Sequence, residues 1–277
     1  MDGKKDLQTV NTGKRHCRPV PSVSQEPWRA LLNLRSGRAV EPEPLDAADF
    51  AVNETEQILF ALALAVEQRD RETSGHCQRL ALISVALGIA MGLARSRLVA
   101  LYRAGYLHDV GKVGIPDSIL LKPDTLTADE WVTMRSHTVR GEEICRPMKS
   151  LAPVLPIIRH HHERWDGSGY PDGLRGEQIP LLARMLQVAD IYDALTNPRP
   201  YKPAYPADKA LSIIREETDR GWRDPEIVGA FVLLHRDVIS KIDQYPAPSD
   251  RSADSMRTSL ANLQEFLTAY STSPLPA

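Results

Sequence analysis

Residues 97–112 read RLVALYRAGYLHDVGK, a segment in which Leu98, Leu101 and Tyr102 fall at the three- and four-residue spacing of one helix face. The pattern predicts a helix from Arg97 to Leu107 that ends on His108-Asp109 and runs into Val110-Gly111-Lys112. An imidazole and a carboxylate side by side can bind one ion or bridge two. Gly111 is read as the residue that lets the backbone turn sharply, so that Lys112 can approach an anion. Taken alone, the same residues also suit a helix terminus whose His interacts with the dipole and whose Lys is solvated.

Outward from this segment the chain keeps helical periodicity. Arg79 to Met91 reads as the preceding helix, joined by a turn around residues 92–96. Its neighbourhood holds the longest uncharged run, Leu80 to Ala94, which is shorter than the ~18 residues of a membrane span and so reads as a buried core helix. Before it, apolar residues recur at helical spacing from Leu45 to Val66, with Asp46 as an N-cap candidate. After it, Thr127 and Glu130 form a capping box that predicts a helix over about 128–145. Further helices are expected over Val154 to Glu163, Leu182 to Leu195, Ala207 to Thr218 and Pro225 to His235, the last with Asp224 at its N-cap and Pro225 at N1. No strand-period run of useful length interrupts them, so the fold class is all-α.

The chain has 277 residues, which suits one catalytic-sized domain with appendages. Residues 1–45 are polar and proline-bearing and read as a mobile leader; 46–240 form the domain, and 241–277 form a tail in which Met256 to Tyr270 is a helix candidate. Lys plus Arg total 34 against 36 Asp plus Glu, a net charge of −2, which gives no general pull toward nucleic acid or a membrane surface. Cys17, Cys77 and Cys145 are an odd number without a CxxC, so neither a disulfide framework nor a thiolate metal site is suggested, and a reducing cytoplasm fits best. No secretory signal is recognisable.

The histidines carry the strongest chemical signal. His76, His108, His137, His160, His161 and His162 fall within less than a third of the chain. Glu72 and His76, four residues apart, share a face if their helix begins early enough, which is a geometry for two ligands to one metal. His137 precedes Gly141 by four residues, where a bare backbone allows close helix packing. His160-His161-His162-Glu163 leads into Trp165-Asp166-Gly167-Ser168-Gly169-Tyr170-Pro171-Asp172-Gly173, whose glycines specify a shaped loop. Consecutive histidines cannot all face inward, so at least one is a spectator. Asp190 and Asp193 lie among apolar neighbours, where a carboxylate needs a partner; a buried salt bridge is the ordinary reading.

Together these motifs resemble the HD-GYP subgroup of the HD metal-dependent phosphohydrolases. The resemblance rests on His108-Asp109-Val110-Gly111-Lys112 and Gly169-Tyr170-Pro171. Around these stand Glu72 to His76, Gly114-Ile115-Pro116-Asp117, His137 with Gly141, His161 to Gly169, Val188 to Leu195 and Arg199-Pro200-Tyr201-Lys202, and it covers roughly residues 55–235. It implies an HD-domain helical bundle with a metal cluster in its core and hydrolysis of the bacterial messenger cyclic di-GMP to pGpG, with further cleavage to GMP slower. The implied ligands are Glu72, His76, His108, Asp109, His137, His161, His162 and Asp190, with Asp109 as the bridge and His160 as the spectator. Five imidazoles and three carboxylates without a thiolate suit iron or manganese, in two ions, or three with Glu72. Asp109 and Lys112 are the implied catalytic residues. Lys112 is expected to touch substrate alone, together with Tyr170, Arg199 and Lys202. The same resemblance implies docking of diguanylate cyclase domains through the Gly-Tyr-Pro loop. Another cyclic dinucleotide such as cyclic GMP-AMP, or a non-catalytic messenger-binding module, are the alternatives. Family members usually carry a receiver or other sensory domain, for which the leader is too short at ordinary domain sizes of ~50 to 250 residues.

Overall fold

The computed structural model describes residues 54–70, 75–198 and 203–235. Along them run α1 (Glu54–Arg69), α2 (His76–Ala90), α3 (Arg95–Leu107), α4 (Asp117–Leu120), α5 (Ala128–Arg135), α6 (His137–Cys145), α7 (Leu155–His160), α8 (Leu181–Thr196), α9 (Ala207–Asp219) and α10 (Pro225–Leu234), with no strand among the described residues. The all-α expectation holds. The leader, the tail with its helix candidate at Met256 to Tyr270, and the start of the Leu45 to Val66 helix lie outside the described residues.

Beyond Arg79, α2 is apolar on every side but for the buried Ser84, and its Leu80, Ala81, Ile83, Val85, Ala86 and Leu87 are fully buried. A helix without a polar face has to sit at the centre of its bundle, which is where the uncharged run Leu80 to Ala94 was expected. α3 packs along it closely: a Cβ on Gly105 would come within 2.5 Å of the Ala81 Cα. That contact brings the end of α3, and His108 with it, to the start of α2 at His76. α8 packs on α2 through Met185, Leu186, Ala189 and Tyr192, while α9 and α10 cover α8 with Leu211, Ile214, Ile227 and Phe231. α1 lies on α3, held by the edge-on contact of Phe60 with Tyr106 and by an ion pair of 3.0 Å between the buried Glu56 carboxylate and Arg103.

Three boundaries differ from the sequence pattern, one of them the helix expected over Val154 to Glu163, which ends at His160 and leaves His161 and His162 in the turn beyond it. The helix expected over about 128–145 starts at the predicted capping box but divides at Ser136 into α5 and α6. The Ser136 hydroxyl donates to the Thr133 carbonyl at 2.6 Å and His137 Nδ1 to the Met134 carbonyl at 2.8 Å, local bonds that compete with the helical ladder. The break aims His137 inward. α2 begins at His76, after Gly75 in the left-handed region (φ 86°), and its first amide is held by the Glu67 carboxylate at 2.9 Å. Glu72, paired with His76 in the sequence reading, lies outside the described residues.

Candidate metal centre

The ends of α2, α3, α6 and α7 and the middle of α8 bring two sets of ligand atoms together. His76, His108 and Asp190 form one and Asp109, His137, His161 and His162 the other, the atoms within each lying no more than 4.8 Å apart. Asp109 joins them. Its Oδ2 stands 3.1 Å from His108 Nε2, while its Oδ1 stands 3.2 Å from His137 Nε2 and 3.8 Å from His161 Nε2. In the first set Asp190 Oδ1 is 3.6 Å from His76 Nε2.

The orientation of the imidazoles shows what the sets can hold. Nδ1 of His108, His137 and His161 faces the carbonyl three residues upstream, on Gly105, Met134 and Ile158, at 3.2, 2.8 and 2.7 Å. A carbonyl only accepts, so Nδ1 carries the proton and Nε2 presents a lone pair. Those three Nε2 atoms and Asp109 Oδ1 are buried without a hydrogen-bond partner among the described residues. Lone pairs facing one another at 3.2 Å in a buried site repel. A cation between them reverses the sign, and two donors each ~2.1 Å from an ion stand about 3.0 to 3.4 Å apart. The residues present therefore fit divalent ions.

Ionisation agrees with this in the second set. Burial, reinforced by the charge of His108, pushes His161 well below the usual imidazole range, and burial with His161 does the same to His162. Both are thus neutral, as ligation requires. Burial opposes ionisation of Asp109, but His108 and Lys112 outweigh it and hold the carboxyl well below its ordinary range. Burial likewise works to lower His108, and Asp109 more than compensates, so its pKa is raised. A proton is the natural competitor for an ion at that set.

Supporting residues fix these ligands. The buried Asp193 carboxylate accepts from His76 Nδ1 at 2.7 Å, from Arg79 at 2.6 and 3.0 Å, and from Asn197 at 3.0 Å. The salt-bridge reading therefore holds for Asp193, and the bridge orients a ligand. Arg69 clamps the loop after His108-Asp109 through the carbonyls of Lys112 and Ile115 and the Asp117 carboxylate. Gly111 is required for a reason other than the expected turn. Its φ is not in the left-handed region, and a Cβ there would fall on the His137 carbonyl oxygen and the Gly141 amide. The packing role assigned to Gly141 is part of the same contact. Lys112 Nζ lies 2.8 Å from Asp109 Oδ2 and 2.6 Å from Asp70 Oδ2, so contact with substrate alone is corrected: the ammonium is also tied to the bridging carboxylate.

The glycine-rich loop closes over the second set. Glu163 accepts from the amides of Asp172 and Leu174 at 2.7 and 3.1 Å, and Gln187 donates to the His161 carbonyl at 3.0 Å and to that of Glu163. Gly169 lies against the backbone of Glu163 and Arg164 where no Cβ fits. Tyr170 stacks on His162 with ring centroids 4.9 Å apart, and burial raises its phenol pKa. His160 is outside both sets and bonds the loop's Asp172 at 2.9 Å, beside the two-pronged Arg159–Asp172 pair. Arg199 and Lys202 lie outside the described residues. Sequence reasoning missed Arg79, Asp70 and Gln187. The three-residue spacing of Asp190 and Asp193 was the signal for a shared helix face, whereas nothing local marks Asp70 as the partner of Lys112.

A helical bundle that gathers imidazoles around a two-faced carboxylate is the architecture of a metal-centred helical protein. The chain belongs to the HD domain family, whose model matches residues 61–227, in agreement with the HD-GYP resemblance. It is 38% identical over 256 residues to a cyclic di-GMP phosphodiesterase of Vibrio cholerae serotype O1, covering 86% of this chain and 50% of that protein. It is 46% identical over 185 residues to a 3′3′-cGAMP-specific phosphodiesterase 2 of the same organism, covering 66% of this chain and 35% of the relative. A solved cyclic GMP-AMP specific phosphodiesterase of V. cholerae shares the fold, with a TM-score of 0.50 at 18% identity over 79% of this chain and 61% of the other. The chain spans about half the length of several of the curated relatives it matches. No helix among the described residues is long and apolar enough to cross a membrane.

Proposed function

We propose that this chain is a metal-dependent phosphodiesterase that hydrolyses cyclic di-GMP to linear pGpG, with cleavage on to GMP as a slower step. The observation that carries the reading is the Asp109 carboxylate, whose two oxygens face separate imidazole sets at 3.1 and 3.2 Å. In this reading His76, His108 and Asp190 hold one ion and His137, His161 and His162 another, with Asp109 shared and Glu72 available to a third. Iron or manganese suits a donor set of imidazoles and carboxylates without thiolate. When bound, the ions supply an activated water and neutralise charge on the phosphoryl oxygens. The chain's own contribution is placement. Lys112, beside Asp109, donates to a non-bridging phosphoryl oxygen; Tyr170 walls the second set; Arg199 and Lys202 hold the second phosphate or a guanine. No protein nucleophile is needed.

Cytoplasmic location and docking of diguanylate cyclase domains on the Gly-Tyr-Pro loop complete the proposal. The identity shared with a 3′3′-cGAMP-specific phosphodiesterase favours cyclic GMP-AMP as the second candidate substrate. The test is protein purified without oxygen, loaded with iron or manganese and assayed by chromatography of products from both dinucleotides. Conversion of cyclic di-GMP to pGpG is expected. Intact cyclic di-GMP over a loaded centre refutes the reading, and faster turnover of cyclic GMP-AMP transfers it to the hybrid dinucleotide.

A further inference from the structure

We propose that Trp131, Arg135 and Tyr170 form a nucleobase subsite that selects guanine at the mouth of the metal centre; the inference deepens the phosphodiesterase reading by naming the base it recognises. Trp131 and Arg135 are four residues apart on α5 and so share a helix face. The Arg135 guanidinium stands 5.7 Å from the Trp131 ring and 5.2 Å from the Tyr170 ring. Tyr170 in turn lies on His162, with His137, itself 5.1 Å from His162, at 6.4 Å. A continuous stack of indole, guanidinium, phenol and imidazole therefore runs from the surface to the ligand set.

Its outer end is built to receive something flat. Trp131 is 45% exposed, a large aromatic surface left in water beside the centre. Arg135 is exposed, and no carboxylate pairs with it among the described residues. The acid best placed on its own helix, Glu130, is committed to Lys122 at 2.6 Å and to the capping box. A guanidinium held between aromatic rings keeps its planar fork of N–H donors ordered, and that fork matches the O6 and N7 acceptors of guanine. Adenine offers N7 but presents an amino donor in place of O6, so one of the two bonds turns repulsive. The neighbouring ring faces add sequence-tolerant stacking. Placement two ring contacts from His162 lets the base belong to the same nucleotide whose phosphate reaches the ions. Guanine-containing cyclic dinucleotides fit this subsite and adenine-only ones do not.

The competing account is that Arg135, the last residue of α5, only complements the helix dipole. Calorimetric titration of GMP and AMP into the metallated full chain separates the two without turnover, alongside cyclic di-GMP kinetics, metal content and thermal midpoint for wild type, Arg135→Gln and Arg135→Lys. Wild type is expected to prefer GMP. Both variants should lose roughly 5- to 150-fold of that preference, the range of one bidentate base contact, with the change in cyclic di-GMP kinetics falling mainly on KM. Lysine, which keeps the charge but lacks the fork, should not restore discrimination. An unchanged GMP to AMP ratio in Arg135→Gln, with or without a lower thermal midpoint, overturns the subsite. Guanine preference lost in both variants while the loaded wild type turns over no cyclic dinucleotide supports the subsite and overturns the phosphodiesterase reading.

Discussion

Replacing Asp193 by Ala should unload one half of the centre before the other. Asp193 holds His76 by its Nδ1 at 2.7 Å and makes no contact with His137, His161 or His162. Loss of a carboxylate that orients a metal-bound imidazole costs about 10- to 100-fold in metal affinity, or ~1.4 to 2.8 kcal/mol. The same substitution takes from Arg79 two bonds, of 2.6 and 3.0 Å. Removing one partner of a buried pair costs about 3 to 5 kcal/mol. The Arg79 side chain keeps 15% exposure, which places the loss at the lower end, near ~3 kcal/mol. At ~2 to 4 °C per kcal/mol for a chain of this size, the thermal midpoint should fall by roughly 6 to 12 °C. Anaerobic titration in buffered free metal is the assay. Two loading steps are expected, with only that of the His76 set displaced, and Asp193→Asn should lie between wild type and Ala because its amide oxygen can still accept from His76. Equal displacement of both steps, or of neither, refutes the role given to Asp193.

Asp109→Ala removes the shared carboxylate and should lower metal content and activity together. Lys112→Ala should retain both ions to within a modest affinity loss while kcat/KM drops by about 30- to 1000-fold, the scale of one lost electrostatic donor at ~1.4 kcal/mol per decade; equal metal loss in the two variants would make Lys112 a structural support only. Gly111→Ala puts a Cβ onto the backbone of His137 and Gly141, so overpacking of about 1 to 3 kcal/mol is expected together with weaker loading of the His137 set; normal stability and loading in this variant would contradict the close approach. Arg159, helped by His160, holds the Asp172 carboxyl below its usual range. The pair therefore stabilises the loop fully above about pH 4, the unfolded carboxylate value, and loses that contribution as pH falls through the lowered folded value. The difference in thermal midpoint between wild type and Asp172→Asn should be present at neutral pH and shrink in acid; a pH-independent difference would exclude the pair as its source.

Much of this protein is written in local spacing. The uncharged run from Leu80 to Ala94 announces a central helix, and the Thr127–Glu130 box marks the start of α5. Adjacent His108 and Asp109, and the paired His161 and His162, mark candidate donors because ligand chemistry depends on residue type, which the sequence states outright; the full set comes from the family resemblance. That at least one of three consecutive histidines is a spectator follows from spacing; that it is His160 comes from the family resemblance, and His160 stands outside both sets. The helices and the candidate donors require only helical periodicity and donor chemistry.

What required the tertiary structure is every contact between segments remote in sequence. The break at Ser136 comes from side-chain bonds that outcompete a helical pattern continuous in the letters. Gly111 reads as a turn residue, yet its bare Cα is demanded by α6 pressing against it. Asp193 grips His76 from 117 positions away and Asp70 meets Lys112 across 42. Nothing in either neighbourhood selects those partners, because helix crossing geometry, set by close packing in the core, determines which side chains arrive at the same point. Sequence alone determined the donor atoms and the helices that bear them. The fold decided which lone pairs face one another across about 3 Å, and in a buried site that distance is what turns a collection of histidines into a place for a cation.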